Sequence, residues 1–202
     1  MGQPEDTVDP HWKAEESMDF DEGFYLIDRK FIFCVPIRWL NIIWGYEKRF
    51  WEHPYNIDIY DGLLPEAKML VQVNWLEVTG KLNIRRRFKR GDDDSVKRYE
   101  IFYVVSFNED AYGWHSAPIK FAVKAGEKAL TGISVKYLEE YRKSSVHGGG
   151  EWHEIPGGQF SVSEDAEYVE FGMYEVESAW WKGGMHLAGV IIKAADVHDD
   201  RI

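Results

Sequence analysis

Two tryptophans, Trp44 and Trp51, stand at either end of a polar, turn-like stretch in LNIIWGYEKRFW. An indole offers a broad apolar face that packs on the C–H face of a pyranose, while polar neighbours meet the sugar hydroxyls. Tryptophan is also highly buried on average, so core packing stays open beside the clamp. Glu175 raises a sharper question. In VEFGMYEV, Val169, Phe171 and Met173 share one face by period two, and Glu175 continues that face. A carboxylate in a core-facing row is costly unless it is satisfied. It can accept hydrogen bonds from ligand hydroxyls or amides, emerge into water at the strand end, or pair with Lys182. The following ESAWWKGG places Trp180, Trp181 and Lys182 in a turn, a second loop rich in indole.

Other motifs carry less. RRRFKRGDDD at Arg85–Asp94 runs from basic to acidic, so its charge largely cancels, and it reads as a solvated hairpin tip. HGGGEWH at His147–His153 has the look of an oxyanion loop, but the chain holds no GxSxG elbow. Its two histidines lack a third ligand at metal spacing, and a glycine loop is the expectation. Cys34 sits in an apolar run and reads as a small buried hydrophobe. No pair of carboxylates stands out as a glycosidase acid and nucleophile, although such pairs are far apart in sequence.

These residues need a scaffold. FIFCVPI, LNIIW, KMLVQVNWLEVTGKLNI, RYEIFYVVSF, IKFAVKA, GISVKYL, QFSV, AEYVEFGMYEV and HLAGVIIKA read as strands, separated by Gly, Asp, Asn and Pro. In RYEIFYVVSF both alternate sets are apolar, which suits a strand covered on both faces. LEEYRK reads as a single helical turn within a loop. Many short strands without regular helices between them predict an antiparallel sandwich or barrel. Residues 1–30 read as an acidic N-terminal extension, in part weakly helical around WKAEESMDFDE. The strand-rich domain covers 31–194 and a short polar tail 195–202.

The chain has 202 residues and a net charge of −11. That charge disfavours nucleic-acid phosphates and anionic membranes, while a neutral sugar is indifferent to it. One cysteine excludes an internal disulfide. The start MGQPEDTVDPHW has no apolar core of a signal peptide, and no apolar run is long enough to span a bilayer. The expected location is the cytoplasm, with no membrane insertion.

LNIIWGYEKRFW, LVQVNWLEVTGKL, DAYGW, VEFGMYEVESAWWKGG and LAGVIIKA resemble the phloem lectin domain, the phloem protein 2 and Nictaba family of plants. The order and spacing agree from about Phe31 to Ala194, and the upstream DPHW is similar to the extension of cucurbit phloem lectins. The resemblance implies an all-β fold, an antiparallel β-sandwich of jelly-roll type. It implies binding of N-acetylglucosamine oligomers, including chitin fragments and the N-glycan core, without catalysis and without cofactor or metal. It places the carbohydrate-binding residues at Trp44, Trp51, Glu175, Trp181 and Lys182. A second acidic residue of tobacco-type members aligns with Tyr168 here, which is a departure from the pattern. The expected partners are N-acetylglucosamine oligomers and glycoproteins, with a homodimer left open. The alternative is a phloem-sap structural or trafficking protein that binds proteins or RNA and whose sugar site is weak or lost. A carbohydrate-active enzyme is the third reading.

Overall fold

The computed structural model describes residues 9–14, 24–27, 30–83, 98–116, 118–126, 132–147, 150–162 and 167–195. Two antiparallel sheets face one another. The first holds β1 (Phe24–Ile27), β2 (Lys30–Pro36), β4 (Tyr55–Ile59), β5 (Leu64–Leu70), β7 (Arg98–Tyr112), β10 (His153–Ser161) and β12 (Gly183–Ala194). The second runs in the order β3 (Asn41–Ile42), β6 (Leu76–Asn83), β11 (Tyr168–Glu175), β8 (Ile119–Ala125), β9 (Gly132–Lys136). In the first sheet β12 pairs with β7 along one side, while β5 and β2 share its other side. The all-β antiparallel sandwich expected from the sequence is the observed architecture. The single α-helix among the described residues, α1 (Glu139–His147), is not long and apolar enough to cross a membrane.

The parity of β7 explains the layering. Ile101, Tyr103, Val105 and Phe107 point into the core between the sheets. Val104 and the half-buried Phe102 point the other way, into a second cluster with Cys34, Leu64, Ala67 and Ile191. Ile57, Ile59, Tyr60 and Leu63 of the β4–β5 hairpin cover that cluster, together with Trp152. Each strand face thus finds an apolar partner, as a run apolar in both phases requires.

Several local expectations change. LNIIW gives only a two-residue strand before the chain turns. KMLVQVNWLEVTGKLNI breaks in two at 71–75, because Val73 pairs across to Lys182 instead of continuing the ladder. LEEYRK opens a nine-residue helix, where Arg142 donates to both carboxylate oxygens of Glu139 at 2.8 and 2.9 Å. β1 and β4 were not singled out in the sequence. β1 falls within the stretch 1–30 expected to be an extension, and so does a docked segment at 10–12. Trp12 and Ile42 exchange backbone hydrogen bonds at 2.9 Å each way, and the Pro10 carbonyl accepts the Tyr46 N–H at 2.9 Å. The basic-to-acidic tip at 85–94 and most of the weak helix lie outside the described residues.

What this topology does for function is gather loops. β3, β5, β7 and β11 end, and β6, β8 and β12 begin, at one end of the sandwich, so the segments 43–54, 71–75, 113–116 and 176–182 meet there.

Candidate functional site

After β3, the Ile43 N–H donates to the Glu77 carbonyl at 3.1 Å and the chain turns. Glu47 N–H bonds to Trp44 O, and both Phe50 N–H and Trp51 N–H bond to Glu47 O, which closes the turn. Trp44 takes a left-handed conformation, φ 59°, that non-glycine residues seldom adopt. Its N–H donates to His11 Nδ1 at 3.0 Å, and its half-buried ring meets His11 edge-on at 5.0 Å and Phe50 at 5.8 Å. Trp51 is different. It forms a bridge with Leu70 and is 1% exposed within the core. Of the two readings left open, stacking face or core packing, Trp51 takes the second: it shares the inward direction of fully buried Leu70 and anchors the loop from beneath.

Glu175 is equally committed. It ends the inward row of Val169, Phe171 and Met173, and its side chain is 2% exposed. Its Oε2 lies 2.5 Å from Lys182 Nζ, whose side chain is fully buried. Its Oε1 accepts the Ser178 N–H at 2.9 Å. Lys182 Nζ also donates to the Trp180 carbonyl at 3.1 Å, and the Lys182 backbone exchanges two 2.9 Å bonds with Val73. Burial alone would raise the Glu175 carboxyl, but Lys182 and the Ser178 hydrogen bonds outweigh it and hold the pKa below the usual carboxylate value. Of the readings left open for Glu175, the pair with Lys182 is the one the geometry shows, and the carboxylate is closed to solvent. The two form a buried ion pair that braces the loop 176–181.

That brace presents indoles. Trp181 is 47% exposed and Trp180 59%. Trp75, on the facing loop, is also 47% exposed, and its Nε1 donates to Glu77 Oε2 at 3.1 Å. The two loops are stitched through Val73 and Lys182. A third loop closes in at Gly113, φ 85°, where a Cβ would lie 2.2 Å from the Trp181 carbonyl oxygen. Beneath it, buried Trp114 donates Nε1–H to the Gly183 carbonyl at 2.9 Å. Beside the indoles stand exposed Tyr112 and the Lys120–Glu177 pair at 2.5 Å. Apolar ring faces next to carboxylates and an ammonium suit a ligand with both C–H faces and hydroxyls.

Trp75 and Glu77 were missed in the sequence, although parity could have found them. Leu76 and Val78 are buried, so 75, 77, 79 and 81 must face outward. Tyr168 sits at the far end of β11, seven residues from Glu175 and so roughly 23 Å away along the strand. There Lys81 Nζ lies 4.7 Å from its ring centroid. Its departure from the acidic pattern does not reach the indole loops. Among the described residues no three His, Cys, Asp or Glu side chains converge as a metal site. His153 packs edge-on against Tyr141 at 5.6 Å.

The phloem protein 2 family profile matches residues 30–194. Protein PHLOEM PROTEIN 2-LIKE A9 of Arabidopsis thaliana is 31% identical over 87% of this chain and 91% of its own length. Protein PHLOEM PROTEIN 2-LIKE A2 of the same plant is 30% identical over 69% of this chain and 66% of its own.

Proposed function

The chain belongs to the phloem protein 2 family, and from that premise we propose that it is a non-catalytic lectin for N-acetylglucosamine oligomers. The observation that carries the reading is the set of three exposed indoles, Trp75, Trp180 and Trp181, on two loops tied together by the Val73–Lys182 bonds. Exposed indoles clustered on neighbouring loops, unlike single exposed side chains, mark an interaction surface. Here the loops are held from inside by the Glu175–Lys182 pair and by Trp51, so the rings are organised before binding. In this reading Trp181 and Trp75 stack on sugar rings and Trp44 borders them. Glu77 accepts hydroxyl or acetamide hydrogen bonds. Glu175, Lys182 and Trp51 act on the ligand only through the loops they position. Trisaccharides gain over the monosaccharide because each added ring meets a further contact within one association event.

Calorimetric titration with chitotriose tests this. Trp181→Ala should cost on the order of 1–3 kcal/mol of affinity while leaving the fold intact. Wild-type protein that binds no chito-oligosaccharide would reject the reading. The same indoles also favour the protein-docking alternative, because exposed tryptophan and tyrosine are common interface anchors. Failure to bind any sugar, with a partner protein displaced by Trp181→Ala, would select it.

A further inference from the structure

The outer face of the second sheet carries a groove across its strands, beginning next to the loop end. The register aligns Asn41, Thr79, Gly172 and Ala122 side by side on β3, β6, β11 and β8. These are small or short side chains, and they form a valley. On one side stands a row of larger ones, Lys81, Glu170 and Lys124; on the other stand Glu77, Tyr174 and Lys120. The result is a cavity of about 300 Å³, lined by Asn41, Thr79, Ala122, Tyr174 and the Lys81–Glu170–Lys124 row. That volume is at the small end of the range for small-molecule sites.

The floor is aromatic. A Cβ built on Gly172 would lie 2.2–2.4 Å from atoms of the Tyr174 ring, so glycine is required there for the ring to lie down across the sheet. The outer end of the ring lies over Gly172, and the side chain lines the groove. The wall alternates in sign. Lys81 and Glu170 pair at 2.8 Å, and Lys124 adds to the field that holds the Glu170 carboxyl low, after the Lys81 hydrogen bond and against desolvation.

We propose that this groove is a second saccharide site, taking a neutral oligosaccharide laid across the strands with a pyranose ring on Tyr174. The proposal rests on the lectin reading of the chain and extends it to the sheet face next to the indole loops, with Glu77 and Lys120 on the wall between the two. Three features select this occupant. A flat ring flanked by short polar residues matches a sugar's C–H face and its ring of hydroxyls. Alternating ammonium and carboxylate groups donate to and accept from those hydroxyls, whereas a polyanion would meet Glu170 and a chain of net charge −11. An added peptide strand has no ladder to join, since the valley lies over strands whose backbone bonds are already made.

The experiment follows amide shifts of the full ¹⁵N-labelled chain during titration with chitotriose. Saturation should move the amides of Thr79, Ala122 and Gly172 as well as those of the 178–182 loop. Ala122→Arg, which fills the groove from an outward-facing position, should abolish the first set and spare the second. Trp181→Ala should do the reverse. Lys124→Ala, which adds no bulk, should weaken the groove response roughly tenfold through one lost charge-assisted bond. Shifts confined to the loop, or groove shifts that survive Ala122→Arg, would overturn the second site while leaving the lectin reading in place. Groove shifts with a silent loop would uphold the second site and reject the indole site. Silence at both would reject the two together.

Discussion

Neutralising Glu175 should damage the fold before it damages any sugar contact. In Glu175→Gln the shape is kept and the charge is removed. Lys182 Nζ then sits fully buried with only the Trp180 carbonyl at 3.1 Å and a neutral amide in place of the carboxylate. Removing one partner of a buried pair costs about 3–5 kcal/mol, and a residual amide acceptor puts this variant near the lower figure. At about 2–4 °C per kcal/mol for a chain of this size, the thermal midpoint should fall by about 6–12 °C at neutral pH. The sign of the pH dependence follows from the depressed folded pKa. The pair's contribution is fully present above the unfolded carboxyl value of 4.5 and is lost as pH falls through the lower folded value. The gap between wild type and variant should therefore close in acid. Pairing Glu175→Gln with Lys182→Met should recover much of the loss, since a neutral pair leaves no charge stranded. Circular-dichroism melts at several pH values, beside chitotriose titrations, decide the matter. An unchanged midpoint together with lost sugar affinity would show that Glu175 is a ligand contact and that the brace is wrongly assigned.

The remaining expectations separate core from surface. Trp51→Ala should lose about 3–5 kcal/mol in denaturant melts as a core cavity, whereas Trp181→Ala should melt like wild type and lose sugar binding; the opposite pattern would move the site back to Trp51. Cys34 is 2% exposed and burial pushes its thiol up to about 12, so a disulfide reagent should label it only in denaturant. Rapid labelling of the native chain would show that the thiol is reachable in the folded state. Lys68 is buried with its Nζ 4.3 Å from the Trp12 ring centroid, and burial pulls its ammonium down to about 8. Lys68→Met should raise the midpoint at neutral pH. The advantage should shrink as pH climbs from about 8 to 10.5, where the folded lysine sheds its proton before the unfolded one does. A constant difference across that window would mean that the ammonium is not strained by burial.

What the sequence disclosed, and what it hid, follows from the range of the interactions. The two apolar phases of β7 are local, and they placed Ile101 and Val104 on opposite faces before any fold was known. The inward row ending at Glu175 is equally local, and Lys182 was already a candidate partner. Closure of that pair to solvent was not legible, because it depends on Val73 bonding to Lys182 across more than one hundred residues. The same holds for Trp51. A single bridge to Leu70 sets its direction, and one bridge leaves no periodicity in the sequence. Trp75 was hidden for the opposite reason: an apolar run around it suggested a continuous strand, and type outweighed parity. The site's residues were thus visible by kind, while their division into rings that face solvent and charges that hold loops was settled by long-range pairing. Family resemblance alone does not make that division. A motif of tryptophans and a glutamate is compatible with every member touching sugar, but a carboxylate 2% exposed with a lysine at 2.5 Å is closed to solvent and paired inside the protein. If affinity depends on Glu175, it should do so by way of loop order, so stabilising the 176–182 loop by other means should restore binding to Glu175→Gln. A direct contact could not be rescued in that way.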